Sequence, residues 1–162
     1  MISIIYSFKN EESNIPELID RTIKICKKIS EEYEVIFVDD KSTDKSKEII
    51  KSHILKNNKI KYILMSRTFG TSPCVLAGIE NSQGDYVVYL DSDLQDPPEL
   101  IEEMIKKAKE GYDIIHTKRK NRKGENFFKL LLTNLAYFIL NKILFIKLGK
   151  NCGDFKLLSR KV

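Results

Sequence analysis

Two aspartates in the stretch "DSDLQDPPE" (91–99) have the type and spacing to bind a divalent metal ion. Asp91 and Asp93 follow the apolar run "YVVYL" and are separated by one residue, so both can face one site if the chain turns there. Carboxylate oxygens are hard ligands that suit Mg²⁺ or Mn²⁺, and such an ion would hold a diphosphate. A lone D-x-D is common by chance, but its place after a buried strand strengthens the prediction of a metal site.

The other two carboxylates of this stretch have the pattern of a helix start. Asp96 is a good N-cap residue, Pro97 is tolerated in the first turn, and Glu99 lies where a capping box needs a glutamate. We therefore predict that Asp96 and Glu99 cap the following helix and have structural roles.

Further acids and bases follow the other predicted strands. They lie in "KNEE" (9–12), "VDDKSTD" (38–44), "MSRTFG" (65–70) and "TKRKNRKGE" (117–125). Ligands of open α/β sheets bind beyond the carboxyl ends of the strands, and these side chains suit a nucleotide and a divalent metal. No GxGxxG follows the first strand and no GxxxxGK[ST] occurs, so neither a dinucleotide site nor P-loop chemistry is expected.

The elements that must position these side chains are strands alternating with helices. Apolar runs predict five strands, at 2–8, 33–40, 60–66, 85–91 and 112–119. Helical periodicity and capping residues predict helices at 14–30, 42–56 (opened by Ser42 or Thr43), 72–82 and 97–111. This alternation predicts an α/β domain with a mostly parallel central sheet and helices on both faces.

Residues 126–148 form a long apolar segment with a narrow polar stripe, which predicts an amphipathic helix. Lysine and asparagine interrupt it too often for a membrane-spanning helix. A helix at a membrane interface or under a partner fits the pattern, and an ordinary core helix remains the alternative.

The composition is that of one folded domain, with 162 residues, 42% hydrophobic and 31% charged. The net charge is +5, and basic residues gather in "KRKNRK" (118–123), which indicates either an anionic partner or a solvated surface. Nucleic acid is disfavoured because no interleaved aromatic residues or known motif accompany the charge. Three widely spaced cysteines without a CxxC pair favour a reducing cytoplasm, and the first residues lack the basic start of a signal peptide.

The order of "NEE", "VDDxSTD", "SRxFG", "DxDLQDPPE" and "GDFKLLSR" (153–160) resembles the family 2 glycosyltransferases with a GT-A fold. Within that family it is most similar to the polyprenyl-phosphate glycosyltransferases, which include dolichyl-phosphate mannose synthases and bactoprenol glucosyltransferases. The resemblance implies a Rossmann-like core at 1–124 that binds the nucleotide sugar. It also implies that 125–162 is the amphipathic helix and acceptor-side segment of the same catalytic domain, and that transmembrane segments follow.

The resemblance assigns roles to individual residues. Those that would bind the nucleotide are Asn10, Glu11, Asp39, Asp40, Arg67, Gly70 and Asp91. Asp93 would be the direct metal ligand, with Asp91 reaching the metal or the ribose, and Asp154 would be the catalytic base or would position the acceptor. Those that would meet the sugar, the acceptor phosphate or the lipid are Gln95, Lys118, Arg119, Arg122 and Glu125. Ser7 and Lys9 replace the family's proline and tyrosine, and Lys41 replaces a turn glycine that can need positive φ.

The implied reaction is an inverting transfer of a sugar from a nucleoside diphosphate, UDP rather than GDP, to a polyprenyl phosphate. It would use Mg²⁺ or Mn²⁺ and take place at the cytoplasmic face of the membrane. The sequence leaves open whether the protein forms a homo-oligomer. Two alternatives remain: a family 2 transferase that uses a glycan hydroxyl as acceptor, and a catalytically silent nucleotide-binding domain.

Overall fold

The computed structural model describes residues 1–29, 32–118 and 152–162. The strands are β1 (Ile2–Phe8), β2 (Tyr33–Asp39), β3 (Ile60–Leu64), β4 (Tyr86–Asp91), β5 (Ile114–Lys118) and β6 (Cys152–Ser159). The helices are α1 (Ile15–Ile29), α2 (Ser46–Ile54), α3 (Thr71–Glu80) and α4 (Leu100–Lys109). Residues 1–115 and 154–162 form one compact unit, and 116–153 form a second that lies mostly outside the described residues.

The predicted mostly parallel sheet is confirmed, with strand order β3-β2-β1-β4-β6-β5. Strands β1 to β4 pair in parallel, so their carboxyl ends meet at one edge. β6 was not predicted as a strand, and it runs antiparallel to β4. This arrangement gathers the segments that follow β1, β2, β3 and β4 at a single edge of the sheet.

Apolar side chains of β1 alternate between the two faces of the sheet. Ile4 and Tyr6 belong to the cluster that includes residues of α1, α2 and α4, whereas Ile5 packs in the cluster on the α3 side. All seven residues of β1 are buried because helices cover both faces, which explains its continuous apolar sequence. Helices on both faces were predicted, and this prediction is confirmed.

Two predicted helix starts are wrong. α4 begins at Leu100 with Glu99 at the N-cap position and no side-chain cap. The Glu99 carboxylate instead accepts two hydrogen bonds from the Arg21 guanidinium, at 2.6 and 2.9 Å, and this bidentate charged contact outweighs the local capping pattern. α2 begins at Ser46, because Ser42 and Thr43 are held in the preceding loop.

The amphipathic segment at 126–148 and residues Arg119, Arg122 and Glu125 lie outside the described residues. In the part of the chain that the structure describes, no helix has both the length and the apolar character needed to cross a bilayer.

Candidate functional site

A cavity of about 370 Å³ lies at the carboxyl edge of the sheet, where β1, β2 and β4 end and α3 begins. Its lining residues are Ser7, Phe8, Lys9, Glu11, Asp40, Gly70, Thr71, Cys74, Asp91, Ser92 and Asp93. Five of these were predicted as site residues: Glu11, Asp40, Gly70, Asp91 and Asp93. The cavity therefore brings together acids from three separate strand ends.

Asn10 bonds the loop after β1 to the loop after β2. Its Oδ1 accepts a hydrogen bond from the Thr43 N–H at 2.8 Å, and its own N–H donates to Ser42 Oγ at 2.9 Å. The neighbouring Glu11 carboxylate accepts a hydrogen bond from the Asn14 side chain at 2.6 Å, while still lining the cavity. Asn10 thus braces the site and is not among the residues that line the cavity.

Asp39, at the end of β2, is buried and braces the same loop. Its Oδ1 accepts a hydrogen bond from the Ser42 N–H at 2.7 Å and its Oδ2 accepts one from the Tyr62 hydroxyl at 2.6 Å. The next turn residue, Lys41, has φ of 66°, the conformation anticipated for this glycine-like position. Asp39 therefore holds the loop after β2 in place and does not itself line the cavity.

Asp40 fixes the loop that leads into α3. Its carboxylate accepts hydrogen bonds from the N–H groups of Phe69 at 2.6 Å and Gly70 at 3.0 Å. Burial alone would raise the pKa of Asp40, but these N–H donors outweigh it and the pKa is lowered, so the group is ionised at neutral pH. Burial and the Asp40 charge together raise the pKa of the adjacent Cys74 thiol to about 11, which keeps it protonated.

Asp91 and Asp93 reach the same cavity because the chain turns sharply after β4. Leu94 adopts a left-handed φ of 60°, and Asp93 Oδ1 accepts a hydrogen bond from the Gln95 N–H at 3.0 Å. Between the two acids, Ser92 is buried and donates a hydrogen bond to the Ser7 carbonyl at 3.2 Å. The turn that the D-x-D needs is therefore present, while Gln95 is exposed and does not line the cavity.

The two carboxylates at the end of β4, Asp91 and Asp93, suit a divalent cation that also binds oxygen atoms of a ligand. Both carboxylates are partly exposed to the cavity, and no cluster of three or more metal-binding side chains occurs within the described ranges. Mg²⁺ is typically bound by one or two carboxylates together with substrate phosphates and water, and Mn²⁺ accepts the same oxygen donors. Asp91 and Asp93 therefore match an ion that completes its coordination with a diphosphate.

Asp154 lies near the start of β6, at the same edge of the sheet. The antiparallel register pairs Tyr86 with Ser159 and Tyr89 with Lys156, and continuing it by two residues sets Asp154 opposite Asp91. The Asp154 side chain is 76% exposed, and its Oδ1 lies 4.0 Å from the Lys156 ammonium. Asp154 is therefore an exposed acid at the same sheet edge as the D-x-D.

Two other predicted residues lie outside the cavity lining. Arg67 is exposed, and its guanidinium stacks over the Phe69 ring at 4.6 Å. Lys118 is the exposed last residue of β5. Lining residues that were not predicted include Thr71 and Cys74, which α3 supplies, and the available signal was the glycine just before that helix.

Comparison with known proteins identifies relatives over nearly the whole chain. Residues 3–162 match the family model for glycosyl transferase family 2. The chain is 42% identical over 160 residues to the glycosyltransferase YkcC of Bacillus subtilis, covering 99% of this chain and 50% of that protein. It is 36% identical to the undecaprenyl-phosphate 4-deoxy-4-formamido-L-arabinose transferase of Proteus mirabilis, covering 98% and 48% respectively. The chain thus spans about half the length of the curated relatives it matches.

Solved structures share the fold at low sequence identity. Mannosyl-3-phosphoglycerate synthase from Rubrobacter xylanophilus aligns with a TM-score of 0.76 at 18% identity, over 99% of this chain and 54% of that one. Glucosyl-3-phosphoglycerate synthase from Mycobacterium tuberculosis, crystallised with Mn²⁺, UDP and phosphoglyceric acid, aligns with a TM-score of 0.69 at 20% identity, over 99% and 56%. Together with the mostly parallel six-stranded sheet, these likenesses confirm the predicted GT-A fold.

Proposed function

The chain belongs to glycosyl transferase family 2, and on that premise we propose that it transfers a sugar from a nucleoside diphosphate to a polyprenyl phosphate. The observation that carries the proposal is that Asp91 and Asp93 line one cavity at the carboxyl edge of a parallel sheet. The names of two relatives, from Proteus mirabilis and Photorhabdus laumondii, support the acceptor, because both are undecaprenyl-phosphate transferases.

The donor nucleotide occupies the cavity, with its diphosphate at the β4 end. Asp91 and Asp93 would hold Mg²⁺ or Mn²⁺ there, and such an ion would supply positive charge that offsets the charge of the leaving diphosphate. The nucleoside lies toward the ends of β1 and β2, where Glu11 and Asp40 line the cavity and Asn10 and Asp39 hold the loops. UDP is the proposed nucleotide, in preference to GDP.

The acceptor approaches the sugar from the face opposite the diphosphate, so the anomeric configuration inverts. The bond from the anomeric carbon to the diphosphate oxygen breaks as a bond to the acceptor phosphate oxygen forms. A phosphate monoester has a second pKa of about 6, so it is largely ionised near neutral pH and needs orientation more than deprotonation. Asp154 is proposed to orient the acceptor or to take its remaining proton, and its exposure and its position opposite Asp91 in the sheet register support this role.

The lipid acceptor sets the proposed location at the cytoplasmic face of the membrane. Lys118, Arg119 and Arg122 belong to a basic run in the sequence, and each basic residue would contribute about 1 kcal/mol of attraction near an anionic surface. The apolar segment at 126–148 would rest at the boundary of the bilayer. Gln95 is proposed to face the sugar when donor and acceptor are both bound.

A transfer assay tests the proposal. The protein is incubated with Mn²⁺, vesicles that contain polyprenyl phosphate, and a panel of radiolabelled UDP- and GDP-sugars. We expect label from one UDP-sugar to enter the organic-extractable lipid. Label that enters only a water-soluble glycan would contradict the lipid acceptor, and consumption of no sugar nucleotide would contradict the transferase itself.

A further inference from the structure

The cavity is strongly acidic and contains one basic side chain. Of its described lining residues, Glu11, Asp40, Asp91 and Asp93 carry carboxylates, and Lys9 is the single cation. The divalent ion proposed above offsets charge at the β4 end. It leaves unexplained why an ammonium group lines the rest of the cavity.

Lys9 is held toward the β2 and β3 side of the cavity. Its Nζ donates a hydrogen bond to Thr68 Oγ1 at 3.0 Å, and Thr68 lies in the loop after β3. The Thr68 hydroxyl in turn donates a weaker hydrogen bond to the Asp40 carbonyl at 3.4 Å. The ammonium group is thus tethered near the end of β2, on the far side of β1 from Asp91 and Asp93.

The separation between these two regions matches a nucleotide. β4 and β2 flank β1, and two strand spacings amount to about 10 Å. That is roughly the length of a nucleotide from the phosphates on its ribose to the far edge of its base. A nucleotide whose diphosphate lies at Asp91 and Asp93 therefore presents its base, not its phosphates, to Lys9.

We propose that Lys9 donates a hydrogen bond to a ring carbonyl oxygen of the nucleobase and so selects the base; this rests on the proposed nucleotide function. An ammonium group is a donor only, so it needs an acceptor. Uracil carries a carbonyl oxygen at the ring position where cytosine carries an amino group, and guanine differs from adenine in the same way. Lys9 therefore favours uracil over cytosine and guanine over adenine. The amino group of cytosine or adenine is a hydrogen-bond donor, so it cannot accept a hydrogen bond from the ammonium group.

Calorimetry with matched nucleotides tests this role. With Mn²⁺ present, the wild-type protein is expected to bind UDP about tenfold more tightly than CDP, the effect of one exposed charge-assisted hydrogen bond. Lys9→Met should bring UDP affinity down to that of CDP and leave CDP affinity unchanged, whereas Lys9→Arg, which keeps a donor, should retain the preference. GDP and ADP form the equivalent pair for a purine-binding site.

Lys45→Met is the matched control, since Lys45 is exposed on the neighbouring loop and does not line the cavity. Lys45→Met should change the affinity for neither UDP nor CDP. Urea unfolding should show Lys9→Met and Lys45→Met to be as stable as the wild type. Equal weakening of UDP and CDP in Lys9→Met would show a phosphate contact and overturn the inference. The inference is also overturned if the wild-type protein binds UDP and CDP equally well and GDP and ADP equally well. If the wild-type protein binds no nucleotide, the proposed function itself is overturned.

Discussion

Asn10, Lys41 and Leu94 adopt the left-handed conformation, with φ of 58°, 66° and 60°. Each follows one of the three strands that end at the cavity, and each conformation costs about 1 kcal/mol in a non-glycine residue. Such strain persists only where surrounding contacts fix it, and it is typical of functional sites. Here it turns the backbone so that the acids after β1, β2 and β4 can meet.

Asp154→Asn separates catalysis from donor binding. Asp154 is exposed and does not line the cavity proposed for the nucleotide, so the substitution should leave the Kd of UDP with Mn²⁺ unchanged. The transfer rate should fall by about 10²- to 10⁴-fold, because the variant loses the carboxylate that is proposed to orient the acceptor or to take its remaining proton. Rates measured with a labelled UDP-sugar check this, with Asp20→Asn on the exposed face of α1 as control. Unchanged transfer would remove Asp154 from the mechanism.

α3 contributes to the cavity because it packs closely on the sheet. Gly78 makes this approach possible, since an added Cβ would overlap with the Ile5 side chain. The amino end of the same helix carries Gly70, Thr71 and Cys74 into the cavity lining. The packing of one helix therefore sets the position of one wall of the site.

Gly78→Ala should destabilise the protein although alanine is the better helix former. The gain in helix propensity is about 1 kcal/mol, whereas overpacking a tight contact costs about 1–3 kcal/mol. We expect the free energy of unfolding in urea to fall by about 1 kcal/mol and UDP affinity to weaken as the helix shifts. Ser72→Ala, on the exposed part of the helix, should change neither quantity. A Gly78→Ala protein at least as stable as wild type would contradict this account of the packing.

Local patterns predicted the parallel strands well because their apolar runs are buried on both faces. The capping box failed because Arg21, far away in the sequence, binds Glu99, and no local rule contains that contact. β6 was missed because its place beside β4 depends on a long-range pairing. Its buried residues Phe155, Leu157 and Ser159 do alternate, and this period of two was the available signal. The D-x-D was predictable, but the turn at Leu94 was not.

A buried polar network at the opposite edge of the sheet joins several strands. Glu34 of β2 accepts hydrogen bonds from Ser3 Oγ of β1 and the Gln83 N–H before β4, both at 2.6 Å, and pairs with Lys61 of β3. Burial raises the pKa of Glu34, but the Lys61 ammonium and the two donors together outweigh it, so the pKa is lowered. The network holds the strands in the order that aligns their carboxyl ends at the cavity.

Glu34→Gln should lower stability in a pH-dependent way. A carboxylate whose folded pKa is lowered stabilises the protein above its unfolded pKa of about 4.3, and the effect is lost as the pH falls through the folded pKa. The variant should therefore be about 1–3 kcal/mol less stable than wild type at pH 7 and approach it below pH ~4. Urea unfolding from pH 7 to pH 3 measures this, with the exposed Glu80→Gln as control. A difference that does not vary with pH would contradict the role of the charge.

The described part of the chain is built on a mostly parallel sheet, and the loops after β1, β2 and β4 line an acidic cavity. Because the chain belongs to glycosyl transferase family 2, we propose this cavity as the donor site for sugar transfer. Four carboxylates around a ligand that is itself anionic require added positive charge. We therefore expect nucleotide binding at this cavity to depend on a divalent ion.

Calorimetric titration of UDP into the protein, with Mn²⁺ and then with excess chelator, measures that property directly. We expect saturable binding with Mn²⁺, loss of at least tenfold in affinity with chelator, and the same loss in Asp93→Ala with Mn²⁺ present. Asp20→Ala should behave as wild type. UDP affinity that is indifferent both to Mn²⁺ and to Asp93→Ala would contradict the assignment of this cavity as a metal-dependent nucleotide site.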